Sequence, residues 1–282
     1  MTTAPALPVI VTGASSGIGL ETAVGLAREG YRVVATVRDL GRTEALDAAA
    51  AGLELDVRRL DVTDDASVRE LVAGVVETCG GLHALVNNAG AAHLGTVELD
   101  SMDAIRAAME VNFFGVVAMT QAAMPHLRAS GGVVVSITSV GGIVGQPFNE
   151  TYCAAKFAVE GFMEGLAPVA ATVGVRVVVV EPGAVASSFV ANAGVDPQAM
   201  DAAAGPYGPA AAGYLARTAG AFANAQSSAD AAAVVVSAVV DPATPFRVQT
   251  SPTAVGFVGV KLADLDGSAV QGLTRSWVSA PA

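Results

Sequence analysis

The chain has 282 residues, of which 52% are hydrophobic and 15% charged, and it carries a formal net charge of −11 with an isoelectric point near 4.6. This acidic balance argues against nucleic acid as a partner, because binding a phosphate backbone requires a basic surface. No window approaches the roughly 18 apolar residues of a membrane span, and the N-terminus lacks the basic region of a secretory signal. The length suits one large core, so we expect a single domain over residues 1–282.

Apolar runs of strand length alternate with helix-length patterns along the chain. The predicted strands are Val9–Thr12, Tyr31–Val37, Leu53–Leu60, Ala84–Asn87, Val133–Ile137, Arg176–Val180 and Phe246–Gln249. The predicted helices are Thr22–Glu29, Ala66–Cys79, Met102–Leu127 and Thr151–Thr172. This alternation is typical of a parallel sheet covered by helices on both faces, with right-handed crossovers.

The periodicity weakens after Pro182. Residues 188–230 are rich in alanine and glycine, and we interpret them as a variable substrate lid whose part at 191–230 is mobile. Residues 250–282 form a C-terminal extension of this domain.

Cysteine and histidine show no pattern of a disulfide framework or a metal site. The two cysteines, Cys79 and Cys153, form no CxxC motif, which favours a reducing, cytoplasmic setting. His83, His93 and His126 lack the spacing of metal ligands, so we expect no metal.

The first predicted strand ends in a glycine-rich turn, TGASSGIG at 12–19, and a helix follows at once. A side chain at Gly13 would obstruct the turn, and one at Gly17 or Gly19 would hold the backbone away from a pyrophosphate or from the sheet. Free N–H groups and the helix dipole favour an anion here. The expected cofactor contacts in the turn are Gly13, Ser15, Ser16, Gly17, Ile18 and Gly19.

The end of the second strand bears on the choice of nucleotide. Dinucleotide folds that prefer NAD place an acid there, on the ribose 2′-hydroxyl, whereas this chain reads Val37-Arg38. Arg38 can clamp a 2′-phosphate through charge-assisted bonds. Asp39 could instead pair with Arg38, or Arg38 could be a solvated loop residue. We expect NADP(H) as the preferred cofactor, with NAD(H) as the alternative.

Tyr152 and Lys156 are four residues apart in a predicted helix and therefore share one face. A free tyrosine titrates near pH ~10 and is a poor base at neutral pH. A nearby ammonium favours the phenolate and lowers the tyrosine pKa. The pair predicts a general acid/base for an alcohol or a carbonyl oxygen, although a YxxxK pair on a surface helix is common by itself.

Two further polar residues are candidates for the same site. Ser139 follows the fifth predicted strand, and active groups gather at the carboxyl ends of strands in such sheets. It could donate a hydrogen bond to a substrate oxygen or cap a turn, and Ser136 and Thr138 compete for the role. Asn112 lies within an apolar helix, where its amide needs partners and could orient Lys156 through water.

Together these motifs resemble those of the short-chain dehydrogenase/reductase family. In chain order the matching motifs are TGASSGIG at 12–19, Asp61-Val62, NNAG at 87–90, Asn112, Ser139, YCAAK at 152–156 and Pro182-Gly183. They extend over roughly the first 190 residues. The resemblance implies a Rossmann-type, doubly wound α/β fold with a parallel sheet of about seven strands in a three-layer αβα sandwich.

The resemblance also implies residue roles. It implies a catalytic tetrad of Asn112, Ser139, Tyr152 and Lys156. Tyr152 and Lys156 would also contact the cofactor. The other implied cofactor contacts, from adenine to nicotinamide, are Asp61, Val62, Asn88, Ala89, Gly90, Pro182, Gly183, Val185 and Ser187. At Ser187 the family usually has threonine, which keeps the hydroxyl donor.

A nearer likeness points to the branch of estradiol 17β-dehydrogenases and retinol dehydrogenases. It is carried by ATVRDL at 35–40, by SVGGIVGQPFNETYCAAKFAVEG at 139–161 and by the tail at 262–278. That branch favours NADP(H). Steroid-acting members can have a histidine after a Tyr-Leu-Ala stretch, and here Arg217 stands in that place. Phe148, Phe189 and Tyr207 are candidates for lining the substrate site.

The expected function is therefore hydride transfer between nicotinamide and a small hydrophobic alcohol, aldehyde or ketone. The alternative is a non-catalytic NADP-binding regulatory protein on the same fold, which usually has a broken Tyr/Lys pair. Family members are commonly dimers or tetramers, so we expect a homodimer or homotetramer with helices 102–127 and 151–172 at the interface.

Overall fold

The computed structural model of the chain describes residues 6–187, residue 189 and residues 204–278. Within these residues seven parallel strands form one sheet, in the order β3-β2-β1-β4-β5-β6-β9. They are β1 (Pro8–Val11), β2 (Arg32–Val37), β3 (Leu55–Arg59), β4 (Ala84–Asn87), β5 (Val133–Ile137), β6 (Arg176–Glu181) and β9 (Arg247–Gln249). A separate pair joins β7 (Val185–Ala186) to β8 (Gln226–Ser227). The predicted seven-stranded parallel sheet is confirmed.

The central strands are buried because helices cover both faces of the sheet. Every residue of β4 and β5 is buried, as expected for valine-rich strands between two helical layers. The strand order reverses between β1 and β4, which pair through Ile10 and Leu85. The carboxyl ends of these two strands therefore lie side by side at the switch point where such sheets bind ligands.

Ten α-helices lie within the described residues. They are α1 (Gly17–Arg28), α2 (Glu44–Ala49), α3 (Asp65–Cys79), α4 (Met102–Met109), α5 (Gly115–Ser130), α6 (Glu150–Ala171), α7 (Gly208–Ala223), α8 (Ser228–Val240), α9 (Pro252–Leu262) and α10 (Ser268–Arg275). Helices α1, α2 and α8 contribute to the core on one face of the sheet, and α3, α5 and α6 to the core on the other. This is the predicted αβα sandwich.

The predicted single helix over residues 102–127 is interrupted. A π-helical turn at Glu110–Phe114 separates α4 from α5. The buried Asn112 lies in this turn, and its amide nitrogen donates to the carbonyl oxygen of Ala108 at 3.0 Å. The periodicity of apolar residues does not reveal such a turn, because α4 and α5 bury the same side of the predicted helix before and after it.

The proposed lid is more regular than expected. Its residues 188 and 190–203 lie outside the described residues, and nothing is concluded about their structure. The remainder contains α7, β8 and the start of α8, elements that the weak periodicity of this segment did not predict. Runs of alanine and valine in α8 bury residues such as Val235 and Ala238 without a polar face, which hides the helical period.

The C-terminal extension contains α9 and α10, which follow β9. Across residues 6–187 and 204–278 no helix has both the length and the apolar character needed to cross a membrane.

Candidate active site

The glycine-rich turn connects β1 to α1 at the switch point. Gly13 and Gly17 have φ values of +68° and +60°, which favour glycine. A Cβ at Gly13 would lie 2.9 Å from the Cα of Ala89. A Cβ at Gly19 would collide with the side-chain amide of Asn88 and lie 2.5 Å from the carbonyl oxygen of Gly13. The turn is therefore a close-packed backbone bend at the N-terminus of α1.

Thr12 joins this turn to the end of β4. Its hydroxyl oxygen accepts hydrogen bonds from the backbone N–H groups of Asn88 and Ala89, each at 2.9 Å. The side chain of Asn88 donates to the carbonyl oxygens of Thr12 and Gly13 at 2.8 and 2.9 Å. Sequence reasoning gave Thr12 no role of its own, although it opens the TGASSGIG motif.

The four predicted tetrad residues come from three segments, the π-helical turn, the end of β5 and α6, and two of them, Asn112 and Lys156, lie near Gly90. A Cβ on Gly90 would lie 2.9 Å from Asn112 Oδ1 and 3.7 Å from Lys156 Nζ. Asn112 is fully buried, and it exchanges two hydrogen bonds with the backbone of Ala91, at 3.1 and 3.0 Å. This pairing fixes the amide beside the loop that follows β4.

Lys156 lies on the inner face of α6 and is only 4% exposed. Its ammonium donates to the carbonyl oxygen of Ile137 at 3.0 Å and lies 5.8 Å from the ring centroid of Tyr152. The side chains of Tyr152 and Ser139 are hydrogen-bonded. Ser139 Oγ also accepts from the backbone N–H of Gly141 at 3.0 Å. The structure thus brings Ser139, Tyr152 and Lys156 together.

The two alternatives to Ser139 point elsewhere. Ser136 is fully buried, and its hydroxyl accepts from the side-chain amide of Asn87 at 3.2 Å. The hydroxyl of Thr138 contacts Glu160 on α6. Of the three hydroxyl residues at the end of β5, Ser139 is the one in contact with Tyr152.

A family model described as short chain dehydrogenase matches residues 8–198 of the chain. The chain belongs to the short-chain dehydrogenase family. It is 37% identical over 277 residues to retinol dehydrogenase 8 of Bos taurus, which covers 92% of this chain and 86% of that protein. It is 41% identical over 191 residues to 17-beta-hydroxysteroid dehydrogenase type 1 of Homo sapiens, or 64% of this chain and 58% of that protein. These similarities confirm the predicted branch.

A solved short-chain dehydrogenase from Streptomyces avermitilis has a similar fold. The TM-score is 0.77 at 28% identity, and the match covers 98% of this chain and 99% of that one. As a member of this family, the chain is an oxidoreductase.

Open α/β sheets bind ligands outside the carboxyl ends of their strands, and the residues at that edge of this sheet fit a nucleotide. The tight turn at Gly13–Gly19 has no side chain at Gly13, Gly17 and Gly19, which leaves backbone open for a pyrophosphate. Ser187 lies over the same turn, with its Cβ 3.3 Å from the position of a Cβ on Gly17. Pro182 accepts a hydrogen bond from the N–H of Val140, which joins the end of β6 to the Ser139 turn. Gly183 follows directly, and Val185 is buried in β7.

The other predicted cofactor residues have mixed environments. Asp61 accepts from the N–H and hydroxyl of Thr63 at 3.0 and 2.7 Å, and these bonds hold its pKa below the usual value. Val62 packs against Gly115 of α5. Ser15 and Ser16 are half-buried in the turn, and Ile18 packs against the core from α1.

Arg38 is exposed directly after β2. The alternative that Asp39 pairs with Arg38 is not observed, and the Asp39 carboxylate instead accepts from the N–H of Gly41 at 2.9 Å. Among the described residues, no ion pair or hydrogen bond engages the Arg38 guanidinium. Its positive charge does act on Asp61 and helps to lower the pKa of that carboxyl.

The pKa of Tyr152 differs from the expectation. Burial raises it above the ordinary tyrosine value, and the hydrogen bond with Ser139 opposes this only in part. Burial lowers the pKa of Lys156 to about 8, and the negative charge of Glu160 opposes that shift. The predicted lowering of the Tyr152 pKa is not found, because the unfavourable removal of the phenolate from water dominates.

The aromatic candidates are divided between the site and its surroundings. The Phe189 ring lies edge-on to Tyr152, with centroids 5.9 Å apart. Phe148 is buried against Tyr214 at 5.8 Å and has a positive φ of 56°. Tyr207 donates its hydroxyl to Glu98 at 2.7 Å.

Arg217 lies at an open cavity of about 600 Å³, where its guanidinium stacks on Trp277 at 4.2 Å from the ring centroid. Within the described residues, no group of three or more His, Cys, Asp or Glu side chains could hold a metal ion.

The close approach at Gly19 can be tested by Gly19→Ala. The added methyl group must displace Asn88, so we expect the free energy of unfolding in urea to fall by about 1–3 kcal/mol. Gly161→Ala is the matched control, since a Cβ there meets no atom within 4 Å. This control should be neutral or stabilising by up to about 1 kcal/mol. Equal stability of the two variants would contradict the packing role of Gly19.

Proposed function

We propose that this short-chain dehydrogenase is an NADP(H)-dependent enzyme that interconverts a primary or secondary alcohol with the aldehyde or ketone. The observation that carries the proposal is the meeting of Ser139, Tyr152 and Lys156, with Lys156 near Gly90 of the loop that packs against the glycine-rich turn. Bound nicotinamide would supply or accept the hydride. All other steps fall to side chains of this chain.

In the proposed mechanism Tyr152 is the proton donor for a carbonyl oxygen. Its hydroxyl is protonated at neutral pH and can therefore donate its proton in the reductive direction. Ser139, already bonded to Tyr152, would donate a hydrogen bond to the same oxygen as negative charge develops on it. Lys156 would place a positive charge near the phenol oxygen, and Asn112 would hold the loop after β4 against Lys156.

The proposed cofactor path follows the carboxyl edge of the sheet. The turn at Gly13–Gly19, with Ser15, Ser16 and Ile18, would bind the pyrophosphate. Asp61 and Val62 would contact the adenine, and Asn88, Ala89 and Gly90 would line the middle of the nucleotide. The nicotinamide end would meet Lys156, Pro182, Gly183, Val185 and Ser187.

The proposed substrate has an apolar skeleton. Phe189 beside Tyr152 is an apolar group at the reacting end, and Phe148 with Tyr214 forms a second aromatic wall. The similar proteins named for retinol and for 17-beta-hydroxysteroids support carbonyl compounds of that character.

Removal of the phenol hydroxyl by Tyr152→Phe should reduce turnover of a reactive ketone or aldehyde by at least about 100-fold, because no other group replaces the proton donor. Binding of NADPH, measured by fluorescence titration, should change by less than about threefold. Tyr207→Phe is the control, since this hydroxyl contacts Glu98 and not the tetrad. Wild-type turnover in Tyr152→Phe would eliminate the proposed mechanism.

The role of Arg38 predicts a selective effect on nucleotide affinity. Arg38→Ala should raise the Kd for NADPH by about 10-fold or more and leave the Kd for NADH nearly unchanged, because only NADPH carries the 2′-phosphate. Arg42→Ala is the matched control, as Arg42 is another exposed arginine in the same loop. Fluorescence titration of each variant with NADPH and with NADH measures the four Kd values. Equal losses for NADPH and NADH would refute the 2′-phosphate assignment.

We also propose that the chain forms a homodimer or homotetramer through α4–α6. Phe114 and Phe157, from the π-helical turn and from α6, are 49% and 38% exposed, which supports an apolar contact surface. A Phe114→Glu/Phe157→Glu variant should sediment as a monomer, because charge at the centre of an apolar interface is unfavourable. Val255→Glu on α9 is the control and should leave the assembly intact. A wild-type protein that sediments as a monomer at micromolar concentration would overturn this proposal.

A further inference from the structure

Glu160 is a buried acid that the proposed mechanism does not use. It lies one turn after Lys156 on α6 and therefore on the same face of the helix. Only 4% of its surface is exposed. Burial of a carboxylate is unfavourable unless polar or charged groups surround it, and both oxygens of Glu160 have such partners.

One carboxylate oxygen contacts the end of β5. Thr138 donates its hydroxyl to Glu160 Oε1 at 2.5 Å. Thr138 lies between Ile137, whose carbonyl accepts from Lys156, and Ser139, which contacts Tyr152. Helix α6 is thus attached to the same three-residue segment at two points, by Lys156 and by Glu160.

The turn after Ser139 packs against the same part of α6. A Cβ on Gly142 would lie 3.1 Å from Glu160 Cγ and 3.2 Å from the carbonyl oxygen of Lys156. Any side chain at Gly142 would separate the Ser139 turn from the helix. Close packing and the Thr138 hydrogen bond therefore set the same distance between α6 and the end of β5.

The other carboxylate oxygen faces a shared arginine. Arg247 on β9 forms ion pairs with Glu160 Oε2 at 3.3 Å, with Glu164 Oε2 at 3.0 Å and with Glu181 Oε1 at 2.7 Å. Gln249 also donates to Glu181 at 2.9 Å. One guanidinium thus forms ion pairs with three carboxylates, of which Glu160 and Glu181 are buried.

These groups define the charge environment of Lys156. Tyr152, Glu160 and Glu164 belong to its own helix, Glu181 to the end of β6 and Arg247 to β9. Burial lowers the pKa of Lys156 to about 8, and the charge of Glu160 is the one group that acts against this shift. Burial also raises the pKa of Glu160 itself, with Thr138 and Arg247 opposing.

We propose that Glu160 is a positioning residue of the active site with two roles. Through its hydrogen bond with Thr138 it holds Ser139 and the carbonyl group of Ile137 against α6. Its negative charge stabilises Lys156 in the ammonium form. The inference rests on the proposed function for its catalytic consequence. Its electrostatic part concerns the protein alone and can be measured without turnover.

The chain contains only two lysines, Lys156 and Lys261, so lysine labelled with ¹³C at Cε reports Lys156 directly by NMR. Lys261→Arg assigns the two resonances. In Glu160→Gln the titration midpoint of Lys156 should fall by about one pH unit, because the nearest opposite charge is removed. Glu164→Gln is the matched control, since Glu164 also contacts Arg247 but is exposed and does not contact Thr138. In Glu160→Asp, which keeps the charge, the titration midpoint of Lys156 should lie close to the wild-type value.

The kinetic arm uses the same variants. The alkaline limb of the kcat profile should move to lower pH in Glu160→Gln in parallel with the lysine midpoint, and the KM for NADPH should stay within about threefold of wild type. Thr138→Val retains the charge and removes the hydroxyl, so it should lower kcat about 10-fold or more and leave the lysine midpoint in place. It also serves if Glu160→Gln does not fold.

An unchanged lysine midpoint in folded Glu160→Gln, or unchanged kcat in Thr138→Val, would overturn the role of Glu160. Absence of turnover by the wild-type enzyme with every ketone and aldehyde would instead count against the proposed function. The lysine titration would still decide the electrostatic part in that case.

Discussion

Lys156 donates its buried ammonium to the carbonyl oxygen of Ile137, and the geometry of the site depends on this contact. Strand β5 is paired with β4 and β6, so its end has a fixed position in the sheet. No covalent bond fixes the register of helix α6 against that strand end. The hydrogen bond from the Lys156 ammonium to Ile137 fixes it instead. Because Ser139 leaves the same strand end and Tyr152 lies one turn before Lys156, a shift of α6 along the sheet would separate all three residues. The sheet therefore fixes the position of the end of β5, and the hydrogen bond of Lys156 fixes α6 relative to it.

The nucleotide side of the site depends on a second constraint, the approach of backbone to backbone between β1 and β4. Gly13 and Gly19 leave room for the backbone at Ala89 and for the side chain of Asn88. Asn88 then donates two hydrogen bonds to Thr12 across the strand ends, from its backbone N–H and from its side-chain amide. A polar network of this kind satisfies donors that helix and strand leave unpaired. It joins the glycine turn to the loop that carries Gly90, next to Asn112 and Lys156, so the two halves of the site share one packed edge.

The sequence predicted the parts of the molecule whose pattern is local. Strands β4 and β5 were predicted at their observed bounds, because short valine-rich runs end at clear polar residues. The family motifs predicted which residues would meet, and the structure brings Ser139, Tyr152 and Lys156 together. The π-helical turn at Asn112 could not be predicted from apolar spacing, and α8 was hidden because alanine and valine occupy its exposed face as well as its buried face. The direction of the Tyr152 pKa was missed because spacing gives proximity of charges but not the depth of burial. The roles of the individual site residues, the single-domain division and the cytoplasmic location stay predictions.

The buried charged groups around Arg247 and Lys156 make the stability of the fold depend on pH. Burial raises the pKa of Glu181 to about 7 and lowers that of Lys156 to about 8. A carboxyl with a raised pKa favours the folded state at low pH, and this contribution is lost as pH rises through about 7. A lysine with a lowered pKa favours the folded state at high pH, and this contribution is lost as pH falls through about 8. Between these values both groups become charged in the folded protein, and neither shift then stabilises it. Apolar residues in these positions would hold no ammonium beside Tyr152. The buried charges are therefore better explained by the chemistry of the site than by the stability of the fold.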